Sequence, residues 1–429
     1  MGRLGPPPHL DGAGQAALEP SPLPLSLSPP QPLLRKYRVL KVAPTSFFSD
    51  YGCHVRIYEE TRWLERSGHR ITICTYPTGR DMPGLDIRRS PLLPWRQSPE
   101  IGSSLHKLYH DALLAATVEA TTWRVRPDLV HAHLHEGALL GYVAARPLGI
   151  PLVFDFQGSL TREMLDHRFL QRESRWFGAL DALERVINRL PHLIITSSAN
   201  AADLLVSEFN VAPHRVETLP DAVDTERFRP RVEVDLPEVD ELRHDLGIEP
   251  GVPVVAYLGL LAEYQGVSKL LEAARILKER GVSAHWLVMG YPGVEFYRDI
   301  AGRLEIVDVV TFTGRVAYER APAYLRLADV AVSPKISETE GNGKLLTYMA
   351  SGVATVAFDT PVAHEMLGDL GIYSRLGDAT SLADAIQSLI EDPKGARQLG
   401  LRLRDRAEER FSLSQQGAAL AQIYSHVCR

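Results

Sequence analysis

The sequence has few cysteines, no long apolar run and no excess of positive charge. Its three cysteines, Cys53, Cys74 and Cys428, lack the paired spacing of a disulfide framework or a structural zinc site. No apolar run reaches the roughly 18 residues that a membrane-spanning helix needs. The formal net charge of −6 argues against a nucleic-acid partner. We therefore expect a cytoplasmic protein, with the inner face of the membrane as the alternative location.

The length and the composition favour two globular domains after a short leader. A chain of 429 residues exceeds one ordinary hydrophobic core, and 45% hydrophobic with 23% charged residues is typical of a globular protein. Residues 1–35 differ, because proline, leucine and serine dominate them without periodicity. They also lack the positive start and the continuous apolar centre of a signal peptide. We predict a disordered, proline-rich leader at 1–35.

Strand-like and helix-like segments alternate in two successive sets. The first set begins with the strand-like YRVLKVAP, a helical segment and the strand-like RITICTY, which together form a β-α-β unit. A charged, proline-containing connection at about 229–250 precedes the second set, which begins with VPVVAYLG. The pattern predicts an α/β protein with two doubly wound, Rossmann-like domains, at 36–228 and 229–411. Such sheets bind ligands beyond the carboxyl ends of their strands, so we expect the domains to face one cleft.

Residues 334–358 carry the most specific local pattern. An acidic loop broken by glycines runs into a short helical pattern that Gly352 is placed to end, and a strand-like run follows. Backbone N–H groups at the start of such a helix favour an anion, and Lys344 adds a positive charge. The segment therefore predicts a pocket for a phosphorylated ligand.

Three histidines alternate along one predicted strand. His131, His133 and His135 would share a face of that strand, with Glu136 beside them. One interpretation is a transition-metal site, since imidazole and carboxylate groups bind such ions. The interpretation that we favour is a polar contact of His133 to a sugar or an acceptor, at a strand end that faces the cleft. We predict no metal site.

The segment 161–190 combines several arginines with aromatic residues such as Phe169, Trp176 and Phe177. One interpretation is a peripheral contact with an anionic membrane. Interspersed acidic residues dilute the positive charge, however, so we favour an ordinary amphipathic packing helix.

The order of many short stretches resembles that of the retaining GT-B glycosyltransferases of family 4. The resemblance begins at Tyr37 and rests, among others, on PDLVHAHLHEG, FDFQGSLTREM, LPDAVDTERFRP, YLGLLAEYQGVSKLLEAA, VTFTGRV and LLTYMASG. It implies a GT-B fold in which the second domain holds a nucleotide-sugar donor and the first domain holds the acceptor. It also implies that a C-terminal helix within 412–429 returns to the first domain.

The chain departs from the common family pattern at positions that hold the donor diphosphate. Many members have an arginine and a lysine where this chain has Leu260 and Gln265. The Tyr-Gln-Gly stretch that contains Gln265 resembles a subset of the family. In that subset, basic positions that match Lys335 and Lys344 compensate for the missing cations.

The paired glutamates of the family are absent as well. Thr347 stands at the position that normally holds the ribose, and Thr339 stands at the position of the first glutamate, with Glu338 and Glu340 beside it. A histidine that often follows the fourth strand is Gln157 here. The resemblance therefore places more of the donor contacts on the two lysines and on the backbone of 341–343.

The local patterns and the resemblance together assign candidate site residues to three groups. The candidate catalytic residues are His133, Glu338 and Glu340. The donor-binding and phosphate-binding candidates are Gly52, Gly259, Gln265, Lys335, Gly341, Asn342, Gly343, Lys344, Leu345 and Thr347. The candidate contacts to the acceptor or the sugar are Tyr51, His135, Asp155 and Gln157.

The predicted activity is transfer of a sugar from a nucleotide-diphosphate sugar to a hydroxyl acceptor, which is a saccharide, a lipid or a small molecule. The resemblance implies retention of the anomeric configuration, no metal ion and no cofactor, with the nucleotide sugar as co-substrate. Two alternatives stay open. A GT-B sugar-nucleotide epimerase would need no acceptor, and a non-catalytic sugar-nucleotide-binding protein would show no turnover.

Overall fold

The computed structural model describes residues 35–50, 52–92, 105–166, 174–231, 236–336 and 341–429. These residues contain two parallel β-sheets, one of seven strands and one of six. We call the part built on the seven-stranded sheet the first half, and the part built on the six-stranded sheet the second half. The described residues of both halves belong to one compact unit.

The first half is built on seven strands, of which the central ones are buried and the two edge strands are partly exposed. The strands are β1 (Arg38–Ala43), β2 (Arg70–Thr75), β3 (Asp86–Arg89), β4 (Leu129–His133), β5 (Leu152–Phe156), β6 (Leu193–Thr196) and β7 (Val216–Thr218). They are parallel and lie in the order β3-β2-β1-β4-β5-β6-β7. Every residue of β4 and β5 is buried, as expected for a parallel sheet that is covered on both faces.

Helices connect most of these strands, as in a doubly wound sheet. They are α1 (Gly52–Arg66), α2 (Leu105–Val125), α3 (Leu134–Ala145), α4 (Leu160–Asp166), α5 (Arg175–Ile187) and α6 (Ala199–Ser207). Side chains of Ser174 and Ser198 cap α5 and α6, since each accepts a backbone N–H from the first turn.

The second half repeats the arrangement. Its strands are β8 (Val254–Leu258), β9 (His285–Met289), β10 (Val310–Gly314), β11 (Val330–Ser333), β12 (Ala354–Phe358) and β13 (Ile372–Ser374), in the order β10-β9-β8-β11-β12-β13. The helices that follow in chain order are α7 (Leu236–Asp245), α8 (Val267–Glu279), α9 (Val294–Arg303), α10 (Ala321–Leu325), α11 (Lys344–Ala350), α12 (Pro361–Leu367), α13 (Ala379–Glu391), α14 (Pro393–Arg410) and α15 (Leu413–Val427).

The two sheets confirm the predicted α/β class with two doubly wound sheets. The strand order reverses between β1 and β4 in the first sheet and between β8 and β11 in the second. A crevice opens at the carboxyl ends of the strands where such a reversal occurs. The domain boundaries at 36, 229 and 411 stay predictions.

Two local expectations differ from the structure. The predicted connection at 229–250 contains the helix α7, because Val239 and Arg243 form a buried face that its charged composition hid. The single helical region predicted at 161–190 appears as α4 and α5, with residues 167–173 outside the described part of the chain. The helix α5 buries Glu184 and Ile187 and exposes Trp176, Leu183 and Val186.

The last helix, α15, packs on α1 of the first half. The glycine at 417 lets the two helices approach, since a Cβ atom there would lie 2.2 Å from Cδ2 of Trp63. Tyr424 places its hydroxyl 2.7 Å from Nδ1 of His131 in β4. The C-terminal segment thus contacts the first sheet directly.

Among the helices of the described residues, none is both long enough and apolar enough to cross a bilayer.

The two ends of α8 offer a matched test of the packing between β8 and β11. Gly266 and Gly281 have φ values of +75° and +74°, so alanine at either position is strained. A Cβ atom on Gly266 would lie 1.8 Å from the carbonyl oxygen of Pro334, whereas none of the described atoms comes within 4 Å at Gly281. We therefore expect the melting temperature of Gly266→Ala to fall at least about 5 °C below that of Gly281→Ala in thermal unfolding scans. Equal melting temperatures of the two variants would mean that the loops after β8 and β11 can move apart without loss of stability.

Candidate active site at the contact between the two halves

Loops at the carboxyl ends of both sheets touch each other, and we call this contact the seam. It comprises residues 48–50, 58, 197–200 and 221 of the first half, and 291, 315–319, 341–343 and 365 of the second. At one end of the seam, the Asp50 carboxylate accepts hydrogen bonds from Arg315 Nε at 2.9 Å and from the backbone N–H of Tyr318 at 2.9 Å. At the other end, Glu365 accepts the backbone N–H groups of Ala199 and Asn200 at 3.0 and 3.1 Å.

An aromatic cluster fills the seam beside Asp50. Tyr318 of the second half lies against Phe48 and Tyr58, with ring centroids 6.2 Å away in both cases. The Phe228 ring also packs on Tyr318, with ring centroids 5.7 Å apart. The rings of Phe48, Phe228 and Tyr318 are buried, so the cluster excludes water from this part of the contact.

Glu59 of α1 lies next to this cluster with its carboxyl group buried. One of its carboxyl oxygens, Oε1, is buried without a hydrogen-bond partner among the described residues. Burial is the largest cause that raises the pKa of Glu59 to about 7, and the nearby Arg227 guanidinium opposes it. Glu59 is therefore an acidic group that titrates near neutral pH at the contact between the halves.

A buried arginine joins three carboxylates of the first half. Arg56 Nε lies 3.0 Å from Asp155 Oδ2 and 3.2 Å from Glu60 Oε1, while Nη1 lies 2.7 Å from Asp221 Oδ1. Nη1 also donates to the carbonyl oxygen of Leu219 at 3.2 Å. The planar guanidinium thereby holds α1, the end of β5 and the loop after β7 in one arrangement.

The charges in this network support each other. Burial alone would lower the pKa of Arg56, but Asp155, Glu60 and Asp221 raise it above its usual value. Burial is the largest single influence and works to raise the pKa of Asp155, but the Arg56 charge and the contacts with His133 together hold the pKa of this carboxyl below its usual range. Asp155 is therefore ionised at neutral pH although its side chain is completely buried.

The structure brings together three of the predicted sugar or acceptor residues. His133 at the end of β4 lies with Nδ1 2.8 Å from Asp155 Oδ2, and Gln157 Nε2 donates to the same oxygen at 2.8 Å. Burial lowers the pKa of His133, which favours the neutral ring with the proton on Nδ1. The other nitrogen, Nε2, is buried without a hydrogen-bond partner among the described residues.

The prediction that His131, His133 and His135 share one face is wrong for His135. Leu134 has a φ value of +61°, which ends β4 at His133 and starts α3. The His131 and His133 rings do lie together, with centroids 4.5 Å apart. The His135 ring packs instead on Phe154, and its Nε2 lies 3.3 Å from Glu184 Oε1. His135 thus contacts the interior of the first half.

One group among the described residues has metal-ligand spacing. A ligand atom of Glu60 and one from each of His131 and His133 lie within 4.8 Å of one another. Both oxygens of Glu60 already pair with cations, Oε2 with Lys41 Nζ at 2.7 Å and Oε1 with Arg56 Nε at 3.2 Å. A metal ion there would have to displace one of these two cations, so the residues fit an ion-pair network better than a metal centre.

On the second half, three predicted donor residues meet at the end of β8. Lys344, the first residue of α11, contacts Gln265 Oε1 through Nζ and lies 4.9 Å from the centre of the Tyr257 ring. A Cβ atom on Gly259 would lie 3.0 Å from the Lys344 Cε atom. Gly259, Gln265 and Lys344 therefore form one cluster, although they are far apart in the sequence.

The end of β11 shapes the loop at 341–343. Lys335, which is 5% exposed, donates to the carbonyl oxygen of Gly341 at 2.7 Å. Ser333 donates to the Asn342 side chain at 3.1 Å. Leu345 is fully buried and its backbone N–H donates to Asn342 at 2.9 Å, while the Thr347 hydroxyl donates to the Lys344 carbonyl at 2.8 Å. Leu345 and Thr347 therefore stabilise the start of α11.

Of the remaining predicted site residues, one is exposed and three lie outside the part of the chain that the structure describes. Gly52 is exposed at the start of α1, with open space around its Cα atom. Tyr51, Glu338 and Glu340 lie outside the described residues.

The sequence did not reveal two charged residues of the network behind the seam. Arg56 lies within a helix that was assigned no role, and Asp221 lies in the stretch LPDAVDTERFRP, which was used only for the resemblance. The signal in both cases was a charged residue among apolar neighbours, which is too common to assign a site.

Comparison with known proteins identifies the family. A model of Glycosyltransferase Family 4 matches residues 52–227, and a model of glycosyl transferases group 1 matches residues 238–408. The chain therefore belongs to the family-4 type of glycosyltransferases. The predicted resemblance and the predicted transferase class are confirmed, while retention of configuration and the Tyr-Gln-Gly subset stay predictions.

Individual relatives agree with this family. The MMP alpha-(1->4)-mannosyltransferase of Mycolicibacterium hassiacum is 27% identical over 420 residues, which cover 90% of this chain and 98% of that protein. Sucrose-phosphate synthase from Thermosynechococcus elongatus is a similar structure, with a TM-score of 0.76, 18% identity, and coverage of 91% of this chain and 99% of that one. HepE of Anabaena, solved in complex with UDP and glucose, has a TM-score of 0.74 and 17% identity, and covers 91% and 100% of the two chains. The two structures confirm the GT-B fold.

Glu59 provides a test of the packing at the seam. Its folded pKa of about 7 lies above the ordinary value of 4.5, so its contribution to stability is complete below pH 4.5 and is lost as the pH rises through 7. Glu59→Gln should therefore melt close to the wild type at pH 5 and gain roughly 2 kcal/mol of stability relative to it by pH 8. Thermal unfolding at both pH values checks this, with the exposed Glu241→Gln as the matched control. A pH-independent difference between Glu59→Gln and the wild type would contradict the assignment.

Proposed function

We propose that the protein transfers a sugar from a nucleoside diphosphate sugar to a hydroxyl group of an acceptor, with retention of configuration and without a metal ion or other cofactor. The observation that carries the proposal is the cluster of Lys344, Gln265 and Gly259 at the carboxyl end of β8. This cluster lies where a doubly wound sheet binds its ligand.

The Lys344 cluster would bind the diphosphate in place of the arginine and lysine that many relatives use. Gln265 stands where many relatives have a lysine, and its amide oxygen contacts the ammonium group of Lys344. The Tyr257 ring lies 4.9 Å beneath that group and limits its position further. A positioned ammonium group stabilises the charge that develops on a departing diphosphate.

Lys335 supplies a second positive charge near the same loop. Its ammonium group is held at the Gly341 carbonyl oxygen, so it also fixes the backbone of 341–343 toward the seam. The donor sugar would then lie between this loop and the first half.

Neither His133 nor Asp155 is suited to act as a nucleophile. Both side chains are completely buried, and Asp155 Oδ2 already accepts from Arg56, His133 and Gln157. This favours direct attack by the acceptor on the same face as the leaving group. The acceptor oxygen bonds to the anomeric carbon, the bond from that carbon to the diphosphate oxygen breaks, and the acceptor proton passes to the diphosphate.

The choice of first substrates follows the relatives. HepE is described with UDP and glucose, and the relative from Mycolicibacterium hassiacum is described as a mannosyltransferase. We therefore propose hexosyl donors on uridine or guanosine diphosphate, and a saccharide hydroxyl as the acceptor.

A donor panel tests the proposal. The protein is incubated with UDP-glucose, GDP-mannose, ADP-glucose and TDP-glucose, with and without a saccharide acceptor mixture, and each reaction is run with and without EDTA. We expect free nucleotide and glycosylated acceptor from one donor, with the anomeric configuration unchanged in the NMR spectrum of the product.

Other outcomes of the panel would overturn parts of the proposal. An altered sugar still attached to its nucleotide, formed without an acceptor, would indicate an epimerase. An inverted product would contradict retention, and loss of turnover in EDTA would contradict metal independence. Binding without turnover of any donor would indicate a non-catalytic protein.

Lys344 should act on the diphosphate and not on the nucleoside. Lys344→Ala removes one charge-assisted contact, so we expect affinity for the nucleoside diphosphate to fall roughly 10- to 100-fold while nucleoside affinity changes little. Isothermal titration with UDP and uridine, or with GDP and guanosine, checks this. The matched control is Lys269→Ala on α8, because Lys269 pairs with Glu272 at 2.7 Å on the surface. Equal losses for both ligands would remove Lys344 from the phosphate site.

A further inference from the structure

We propose that Asp221 is the residue of the first half that contacts the donor sugar, and that it selects neutral or amino sugars over uronic acids. The inference deepens the proposed function and rests on it, because it assumes that the sugar lies beside the loop at 341–343. The family pattern described above assigns no role to Asp221.

Asp221 faces the loop at 341–343 across the seam. It lies in the loop that follows β7, at the carboxyl end of the first sheet. A Cβ atom on Gly341 would lie 3.2 Å from Asp221 Oδ2, and one on Gly343 would lie 3.3 Å from the same oxygen. The Ser197 hydroxyl lies equally close, 3.1 Å from the Cβ position of Gly341. Two glycines thus leave room for a carboxylate and a hydroxyl of the first half against the backbone of the second.

The two oxygens of Asp221 have different surroundings. Oδ1 is held by Arg56 Nη1 at 2.7 Å. Oδ2 points to the loop at 341–343. The Asp221 side chain is 19% exposed, whereas the other carboxylates bound to Arg56 are 0% and 8% exposed. Asp221 is therefore the carboxylate of this network that a ligand in the seam can reach.

The network fixes Asp221 before a ligand arrives. Arg56 also binds Asp155, and its Nη1 and Nη2 both donate to the Leu219 carbonyl two residues before Asp221. A carboxylate held on one oxygen presents the other at little entropic cost, and sugar hydroxyl or ammonium groups are good donors to it. Arg56 is the positioning residue in this arrangement, and Asp221 is the contact.

The charge of the network explains the selectivity. Three carboxylates, those of Glu60, Asp155 and Asp221, face two cations, Arg56 and Lys41. The two adjacent histidines are neutral, because burial lowers their pKa values. In the proposed function, Lys335 and Lys344 face the donor diphosphate, which neutralises them, so the excess negative charge of the network is the charge that the sugar meets. It repels a further carboxylate, such as that at C6 of a uronic acid, and accepts a neutral hydroxyl or a cationic amino group.

Titration of nucleotides and their sugars tests this contact. The proteins are the wild type, Asp221→Asn, Asp221→Ala and the control Asp240→Asn, which makes the same charge change at an exposed position of α7. The ligands are UDP, UDP-glucose and UDP-glucuronate, with GDP and GDP-mannose in parallel. Melting temperatures are recorded for each variant, and Asp221→Asn keeps the shape of the side chain should the alanine variant fail to fold.

We expect UDP or GDP to bind all four proteins within about twofold. The gain in affinity that the neutral sugar provides over the bare nucleotide should fall roughly 10- to 100-fold in Asp221→Ala. Wild-type protein should bind UDP-glucuronate more weakly than UDP-glucose, and Asp221→Asn should narrow that difference. A purely structural role would lower the melting temperature without changing this discrimination.

Two results would overturn the inference in distinguishable ways. If the wild type binds nucleotides and the Asp221 variants keep its preference among the sugars, the sugar contact is wrong while the proposed function stands. If the wild type binds neither nucleotides nor their sugars, the proposed function fails and the sugar contact fails with it.

Discussion

The buried guanidinium of Arg56 is the interaction on which the arrangement of the first half depends. Its contacts join α1, the end of β5 and the loop after β7, whose carboxylates would repel each other without a shared cation. A lysine could neutralise one of them but could not span all three, because its single ammonium group lacks the planar set of donors. Asp155, which Arg56 holds, in turn contacts His133 and Gln157. Asp221, which Arg56 also holds, packs against the loop at 341–343 of the second half.

In the proposed function, the second half meets a different demand, which is to hold the negative charge of a diphosphate. Family members commonly meet it with an arginine and a lysine after the first strand of this half. Here Gln265 contacts Lys344, which approaches from the start of α11, while Lys335 binds the loop at 341–343. The proposed donor site is thus built from β8 and β11 together. In the same proposal, the first half supplies the contact to the donor sugar, so the donor would lie at the seam between the two halves.

The sequence predicted the sheets and the start of α11 because these depend on local patterns. Buried parallel strands appear as short apolar runs, and the glycines before Lys344 mark a loop that opens a helix. The sequence could not predict the Arg56 network, since Arg56 meets Asp155 and Asp221 across 99 and 165 residues of chain. The wrong prediction for His135 has a local cause, because the positive φ of Leu134 ends the strand after His133 without a glycine to signal it.

The most direct test of this account is the transfer rate of Arg56→Lys with the donor and acceptor that the panel identifies. Arg62→Lys is the matched control, because Arg62 lies on the same helix and forms a partly exposed ion pair with Glu65 at 3.9 Å. The account predicts that Arg56→Lys loses about 100-fold in kcat/KM while it still melts above the assay temperature and binds the nucleoside diphosphate. A rate for Arg56→Lys within about threefold of Arg62→Lys would contradict the central role of the guanidinium.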